Sequence, residues 1–523
     1  MLWLVSRHPD GTSRKLLPGF RKAFIFTFRE LKHPLMKFFV YLFLFQLALD
    51  CSGQQVGVNS ITKKEIDTYI RAEMKAEQIP GLSYAVVHNG TIIDSGAYGF
   101  ANVELKAPVT FQTLFNIGSI GKTFTSTAIM LLQTDGKLSL NDPISKYLDS
   151  LPDSWSKITI KHLLSHTSGI KDYAHDFPGY PFIQADRKQE ITETKFIQMA
   201  AELPLNFQPG ERWAYSNSNF VLLGFIIHKL AGKPTGDFIK ERIFGPAKMK
   251  ETRYTDVRNI IFNRASGYLL DEDDNNKLIN GNYISNFFST MGDMGILTTA
   301  TDLARWSIAQ DNTIILDKQT LEQVWTPSKL NTNLEAMGIA GPNYGLGWTL
   351  ANHRGYKEVG HGGSFMNGYT ASFHRFPEEN FAVIVLTNLN PTNVSSMAYH
   401  LAGFFIPGLK GIDQLQSDNN ADTSFNKSVE AFFESLGTGN YDRSLVTESF
   451  TQRVNPIAKK IFSGPAKPAV IFIASDKMAK RRLERYGVSI QKINYYKIKL
   501  GPETHYFSIY LDGDNKIADM RGY

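Results

Sequence analysis

The sequence predicts an α/β fold, of the α+β kind, in which a largely antiparallel sheet is flanked by helices. A charged amphipathic helix over Ile61–Ala76 precedes two apolar or alternating runs around Asn89–Gly90, which is typical of a β-hairpin. A long apolar helix begins near Ser119. Between residues 344 and 388, three further runs with glycine-rich turns indicate successive strands. The intervening region, up to about residue 290, is rich in helices and loops.

The length and the changes in composition predict two folded domains. At 523 residues and 42% hydrophobic, the chain can support a large domain with a smaller companion. We expect the large domain over residues 54–411, a polar linker over 412–424 and a small α+β domain over 425–523. In the small domain, Tyr506, Ser508 and Tyr510 share one strand face, either a sugar- or peptide-binding surface or simply a half-exposed sheet face.

Residues 1–53 predict an N-terminal extension and a signal peptide. The apolar run from Phe38 to Leu49 follows Met36 and Lys37 and is short for a membrane span. Met36 is an alternative start, and we expect cleavage near Gly53. The mature chain would then be periplasmic or secreted, with no stable membrane insertion. Lipoprotein anchoring at Cys51 is the alternative, and Asp50 directly before it disfavours that reading.

The charge distribution argues against nucleic-acid binding. The formal net charge is +6, but residues 1–53 hold eight Lys and Arg against three acidic residues, so the remainder is nearly neutral. Cys51 is the only cysteine, which leaves the mature chain without disulfides or a thiol nucleophile. We expect a small-molecule or peptide substrate and no cofactor, and the oligomeric state stays open.

The start of the long helix carries the first candidate for chemistry. Ser119 stands three residues before Lys122, so the two side chains share one helix face and a deprotonated amine could take the proton of the serine hydroxyl. The helix dipole would favour the developing alkoxide. Gly118 and Gly121 keep the surroundings of the serine free of bulk. An isolated S-x-x-K is weak evidence and requires partners.

Two further segments supply those partners. Tyr215 and Asn217, two residues apart in an extended piece, would point to the same side ahead of a helix from about Phe220. Tyr215 could relay protons with Lys122, and Asn217 offers an amide donor and a carbonyl acceptor. His162 and His166 have zinc-ligand spacing, but without a third ligand we predict a packing and capping role and no metal site.

A glycine-rich segment late in the chain could complete an oxyanion hole. His361 to Ser364, H-G-G-S, is predicted between two strands, where Gly363 would let the strand edge approach a substrate. The backbone N–H groups of Ser119 and Ser364 could then polarise a carbonyl together.

Together, S-x-x-K at Ser119–Lys122, Y-S-N at Tyr215–Asn217 and H-G-G at His361–Gly363 resemble the three motifs of the serine β-lactamase and penicillin-binding protein superfamily. Their spacing resembles its class C-like branch, which includes D-Ala-D-Ala carboxypeptidases, D-aminopeptidases and esterases. Coverage is roughly residues 60–405. The resemblance implies a sheet domain beside a helical subdomain, with the active site between them.

The resemblance also implies the chemistry. Ser119 would form an acyl-enzyme, Lys122 and Tyr215 would move the proton, and Asn217, His361 and Gly363 would contact the substrate. Class C β-lactamases usually carry lysine where this chain has His361, which favours peptide, D-amino-acid or ester substrates over efficient β-lactam hydrolysis. With an ordinary pKa of about 6.5, we expect acidification towards pH 6 to charge His361 and to favour carboxylate-bearing substrates. The alternatives are a class C-like β-lactamase and a non-catalytic protein that binds penicillin or cell-wall fragments.

Overall fold

A computed structural model of the chain describes residues 60–177, 192–255, 259–271, 274, 276–281, 292–332, 343–365, 367–415, 423–451, 467–477, 483–485, 488–501 and 503–522. The predicted extension and signal peptide over 1–53 lies outside the described residues, as does the part of the predicted linker from 416 to 422. In the part of the chain that the structure covers, no helix is both long and apolar enough to cross a membrane.

The elements alternate between helices and strands along the chain. The strands are β1 Gly81–His88, β2 Thr91–Asn102, β3 Ala107–Pro108, β4 Phe115–Asn116, β5 Arg253–Tyr254, β6 Tyr268–Asp271, β7 Lys277–Asn280, β8 Ile296–Thr298, β9 Asn343–Tyr344, β10 Thr349–His353, β11 Tyr356–Phe365, β12 Tyr369–Phe376, β13 Phe381–Thr387, β14 Leu389–Asn390, β15 Ala469–Lys477, β16 Leu483–Arg485, β17 Val488–Ile490, β18 Lys492–Leu500, β19 Glu503–Leu511 and β20 Ile517–Gly522. The α-helices are α1 Ser60–Ala76, α2 Gly121–Thr134, α3 Ile160–Leu164, α4 Glu193–Ala201, α5 Asn217–Ala231, α6 Thr235–Ile239, α7 Ala300–Asp311, α8 Lys318–Val324, α9 Val394–Phe405, α10 Thr423–Leu436 and α11 Glu448–Thr451.

The predicted fold class is confirmed: helices flank one large antiparallel sheet. Within the described residues this sheet has the strand order β3-β2-β1-β13-β12-β11-β10-β9. The predicted hairpin at Asn89–Gly90 joins β1 to β2, and β13 pairs with the other side of β1, from Leu82 opposite Thr387 to His88 opposite Phe381. The N-terminal hairpin and the late strands therefore close into one sheet.

The two faces of the sheet are covered by different helices. Side chains alternate along a strand, so in β1 Ala85 and Val87 join the cluster that contains α2 and α5, whereas Tyr84 and Val86 join the one that contains α1 and α9. Helix α2 is the buried centre of the first cluster, where Phe124 stacks on Trp306 with 4.7 Å between the ring centroids. A helix held on all sides keeps its N-terminal residues fixed.

Two sequence-based boundaries are wrong. The H-G-G-S segment does not lie between strands, because β11 runs unbroken from Tyr356 to Phe365 and the break in the chain comes after it. Pairing with β12 over residues 359–365 outweighs the turn preference of the two glycines. Helix α5 begins at Asn217 and not near Phe220, so Asn217 is helical, whereas Ser216 before it is extended.

The C-terminal residues form a sheet with the order β15-β18-β19-β20. One face packs against α10 through Phe432 and Phe433. The predicted half-exposed face is wrong for two of its three members, because Ser508 and Tyr510 are fully buried. The reason is that the β10–β11 hairpin lies against this face, where the Tyr510 hydroxyl donates to the Asn352 carbonyl at 3.3 Å.

The turn of the β10–β11 hairpin is fastened to the C-terminal sheet by an ion pair. The Arg354 guanidinium donates to both carboxylate oxygens of Asp476 at 2.9 and 3.0 Å, and the Tyr495 hydroxyl donates to the same carboxylate at 2.8 Å. Ile412, at the start of the predicted linker, packs into the same cluster as Tyr495 and Tyr510. The division into domains at 411 and 425 stays a prediction.

We expect Arg354→Ala to lower the free energy of unfolding by about 1–3 kcal/mol, because it leaves a largely buried carboxylate without its cation. Urea titration followed by circular dichroism measures the effect. The matched control is Lys229→Ala, whose ion pair with Asp149 has side chains 49% and 90% exposed, so that loss should stay below about 0.5 kcal/mol. Equal effects of the two substitutions would show that the hairpin contact contributes no stability.

Candidate active site

Ser119 and Lys122 meet at the N-terminal end of α2, as the sequence predicts. Ser119 lies in a 3-10 turn over Gly118–Ile120 that leads directly into the helix. The Lys122 Nζ donates to the Ser119 Oγ at 3.0 Å. Ser119 is half-buried whereas Lys122 is fully buried. The hydroxyl is therefore accessible while its partner amine is shielded from water.

The buried amine of Lys122 is surrounded by oxygen acceptors. Besides Ser119, it donates to the Asn217 Oδ1 at 2.8 Å and to the Asp293 backbone carbonyl at 3.1 Å. Three acceptors match the three N–H bonds of an ammonium group. The resting geometry thus satisfies a protonated lysine, and the amine must release a proton before it can take one from serine.

Asn217 is oriented by a carboxylate that the sequence analysis missed. Asp172 accepts from the backbone N–H of Asn217 at 3.0 Å and from its side-chain Nδ2 at 3.1 Å. Because the NH₂ end of the amide is fixed in this way, the oxygen end points to Lys122. Burial raises the pKa of Asp172 above its usual value. Asp172 follows the L-L-S-H-T-S-G segment by three residues, and an acid in a loop gives no signal by itself.

Tyr215 stands beside Lys122, against the ring of His166. The Lys122 Nζ lies 5.1 Å from the centroid of the Tyr215 ring, and the His166 ring centroid lies 4.3 Å from the same centroid. The His166 Nδ1 accepts from the backbone N–H of Ser216 at 3.2 Å, which fixes the turn between Tyr215 and Asn217. Burial, together with the charge of Lys122, holds the pKa of His166 well below its usual value. The His166 imidazole must be neutral for its Nδ1 to accept this hydrogen bond.

The two histidines of the zinc-like spacing have separate structural tasks. His162 forms a capping box with Thr159 at the start of α3. His166 supports the Tyr215–Asn217 turn. Within the described ranges, no three His, Cys, Asp or Glu side chains are gathered as a metal-binding group.

The free edge of β11 lies against the turn that holds Ser119. Strand β10 pairs with β11 only as far as Gly360, and beyond that point the 3-10 turn takes its place. A Cβ atom added to Gly363 would overlap the Ile117 carbonyl oxygen, so only glycine permits this approach. A Cβ atom on Gly118 would lie 3.0 Å from the Ser364 nitrogen. The structure therefore brings the backbones of residues 118 and 364, at the two sides of the predicted oxyanion hole, into contact.

His361 is buried and forms part of an aromatic wall. The Tyr344 hydroxyl and the His361 Nε2 are 3.0 Å apart, and the Tyr215 and His361 ring centroids are 6.4 Å apart. Burial lowers the pKa of His361 to about 4. The expected charging near pH 6 is therefore wrong, because an imidazolium would lose its hydration here. Tyr344 was missed from the sequence, since only tertiary packing brings it to the site.

A second missed carboxyl group lies beneath Lys122. Asp293 is fully buried, and its Oδ2 accepts from the Tyr173 hydroxyl at 2.6 Å. Burial raises the pKa of Asp293 to about 6, although the charge of Lys122 acts in the opposite direction. The residue sits just before β8 in a short glycine-containing segment, where no pattern indicates a functional acid.

Comparison with known proteins shows the family of the chain. The Beta-lactamase family model matches residues 66–403. A penicillin-binding protein of Bacillus subtilis (strain 168) is 31% identical over 338 residues, which cover 62% of this chain and 72% of that protein. Protein flp of Staphylococcus aureus (strain MW2) is 28% identical over 347 residues, with 65% and 66% covered. The predicted resemblance is confirmed.

Solved structures show the same fold. An octameric penicillin-binding protein homologue from Pyrococcus abyssi superimposes with a TM-score of 0.59 at 24% identity, covering 86% of this chain and 96% of its own. The D-amino acid amidase from Ochrobactrum anthropi SV3 gives 0.54 at 24% identity, covering 63% and 92%. The first match covers a larger share of the chain than the second.

Proposed function

Because the chain belongs to the beta-lactamase family, and is in broad terms a serine hydrolase, we propose that it cleaves peptide, amide or ester bonds through an acyl-enzyme on Ser119. One observation carries the proposal. A fully buried lysine amine lies 3.0 Å from the hydroxyl of a half-buried serine at the N-terminal end of a helix. That arrangement can activate a serine that a substrate can still reach.

In acylation, the Ser119 Oγ attacks the carbonyl carbon and its proton passes to the Lys122–Tyr215 pair. Lys122 can accept it only after its ammonium proton has passed to water; in the other route, Tyr215 accepts the serine proton as a phenolate while Lys122 stays protonated. The N–H groups of Ser119 and Ser364 donate to the oxygen that becomes negative. The bond to the leaving amine or alcohol then breaks, and the same pair returns the proton to that group. The Asn217 side chain binds the amide group of the substrate.

Deacylation repeats these steps with water in place of serine. Water gives a proton to the Lys122–Tyr215 pair while its oxygen attacks the acyl carbon, and the Ser119 Oγ recovers a proton as it leaves. No group other than these residues and water is needed for the balance of protons.

The substrates we propose are D-amino-acid or cell-wall-type peptides, amides and short esters. At the position where class C β-lactamases carry a lysine, this chain presents the neutral, buried His361. Its ring joins Tyr215 and Tyr344 in an aromatic wall, which suits a neutral or apolar group. The D-amino acid amidase among the structural neighbours is consistent with this class. Efficient β-lactam hydrolysis is the alternative that a substrate panel would reveal.

We also propose that the protein works outside the cytoplasm, in the periplasm or as a secreted protein. The basic and apolar pattern of residues 1–53 supports export. Its partners would be a peptide or small-molecule substrate.

The proposal predicts covalent labelling at one residue. A fluorophosphonate should add to wild-type protein at Ser119, as located by mass spectrometry, and Ser119→Ala should remain unlabelled. Lys122→Ala and Tyr215→Phe should each lower kcat by about two to four orders of magnitude, and the two losses should not add. A wild-type protein that takes no label under any condition would be a binding protein instead.

A second prediction concerns the neutral ring of His361. The ratio of kcat/KM for a neutral ester to that for its carboxylate-bearing analogue should be constant from about pH 5.5 to 8.5. The pKa of His361 is about 4, so only below about pH 5 should the ring gain charge and carboxylate binding improve.

The variant for comparison is His361→Lys, which adds a cation at the same position. It should shift the ratio about tenfold towards the carboxylate substrate. A wild-type ratio that changes by more than about threefold around pH 6.5 would show that His361 titrates normally and that the ring is not buried during turnover.

A further inference from the structure

The side chain of Asp293 has no task in the reaction as described so far. Its backbone carbonyl accepts from Lys122, but its carboxyl group points elsewhere and forms no hydrogen bond with Ser119 or Asn217. It is nevertheless fully buried, and its Oδ1 finds no hydrogen-bond donor among the described residues. Burying a carboxyl group with one unpartnered oxygen costs free energy.

The position of Asp293 is fixed from two sides. The Thr125 hydroxyl, on α2, donates to the carbonyl of the preceding residue, Gly292. The Tyr173 hydroxyl, from the loop after α3, donates to the Asp293 Oδ2 at 2.6 Å. The carboxyl group therefore cannot turn towards solvent, and its charge acts on the buried groups around it.

Four titratable groups face that carboxyl. Lys122 comes from α2, Asp172 and Tyr173 come from the loop after α3, and Tyr254 comes from β5. Lys122 is the one cation in this set. Farther out, His166 and His361 also interact with the charge of Lys122, and both are held neutral by burial. The state of Asp293 is thus coupled mainly to the state of Lys122.

We propose that Asp293 is a positioning residue whose negative charge keeps the proton on the Lys122–Tyr215 pair, and so sets the pH at which Ser119 becomes a nucleophile. The inference rests on the proposed function, because it concerns the proton acceptor of Ser119. A buried negative charge favours the protonated form of any neighbour, so the direction of the effect is the same whether Lys122 or Tyr215 takes the serine proton.

The charge of the Asp293 carboxyl changes between pH 6 and pH 7.5. Since the pKa of Asp293 is about 6, the carboxyl is mostly ionised at pH 7.5 and mostly neutral below pH 6. When acidification neutralises the Asp293 carboxylate, the Lys122–Tyr215 pair holds its proton less tightly. The rate of Ser119 modification should therefore fall more gradually on the acidic side of its pH profile than a single titrating group would give. Asp293→Asn should restore the steeper fall.

The test is the rate constant for modification of Ser119 by a fluorophosphonate, followed by intact mass from about pH 5 to 9 in the full chain. Asp293→Asn keeps the shape and an oxygen acceptor for Tyr173 but carries no charge. Where the wild-type carboxyl is ionised, the acidic limb of Asp293→Asn should lie about one pH unit lower, so that near pH 7 this variant reacts several-fold faster. Near pH 5, where Asp293 is itself neutral, the two rates should converge. At high pH the two rates should agree within about threefold.

A second variant tests the same point without altering the acid. Tyr173→Phe removes the hydrogen bond that favours the ionised carboxyl, so Asp293 should stay neutral to higher pH. Its acidic limb should fall between those of the wild type and Asp293→Asn. Asp149→Asn, which removes a surface acid bonded to Lys229, controls for net charge and should leave the limb in place.

The outcomes separate the two proposals. Labelling of the wild type, combined with acidic limbs that coincide in Asp293→Asn and Tyr173→Phe, would overturn the role of Asp293 and leave the serine hydrolase intact. If Asp293→Asn reacted more slowly than the wild type by the same factor at every pH, Asp293 would have only a structural role, and the proposal would be overturned. If Asp293→Asn does not fold, the position of the Tyr173→Phe limb decides alone. A wild type without label at Ser119 would overturn both proposals.

Discussion

The site depends on keeping one lysine amine inside the protein. A buried cation loses its hydration, at a cost of several kcal/mol, unless the protein supplies acceptors in place of water. Lys122 receives three, from Ser119 on its own helix, Asn217 at the start of α5 and the Asp293 carbonyl before β8. Three separate parts of the chain must therefore meet at one nitrogen. The carboxyl groups of Asp172 and Asp293 lie in the next layer, where burial raises their pKa values and the charge of Lys122 opposes that rise.

A second constraint is the close approach of β11 to the turn that holds Ser119. The edge of β11 is free for this contact because β10 stops pairing with it at Gly360. The residues of β11 after Gly360 therefore face the turn instead of a strand. Gly363 permits the contact, since a side chain there would collide with Ile117. At its other end the β10–β11 hairpin is held by the C-terminal sheet through Arg354. The same hairpin thus joins the strand of the predicted oxyanion hole to the C-terminal sheet.

The parts that follow from local sequence could be predicted, and the parts that follow from tertiary packing could not. The hairpin at Asn89–Gly90 and the Ser119–Lys122 pair follow from turn chemistry and helix spacing, which are local. The H-G-G-S segment was misplaced, because the glycines suggest a turn and only sheet pairing makes them a strand.

The missed residues share one physical reason. Asp172, Asp293 and Tyr344 lie in loops or short strands without periodicity, and each reaches the site by folding alone. The pKa of His361 is a further example. Its ordinary value follows from residue type, whereas the lowering to about 4 follows from burial, which a sequence does not display.

The most direct test of the account is a crystal structure of the protein after reaction with a fluorophosphonate. The account predicts a bond from the Ser119 Oγ to phosphorus, with the phosphonyl oxygen about 2.7–3.1 Å from the backbone nitrogens of both Ser119 and Ser364. Lys122 should keep its contacts with Asn217 and the Asp293 carbonyl. An adduct on another residue, or a phosphonyl oxygen turned away from both nitrogens, would contradict the assignment of Ser119 and Ser364 to the active site.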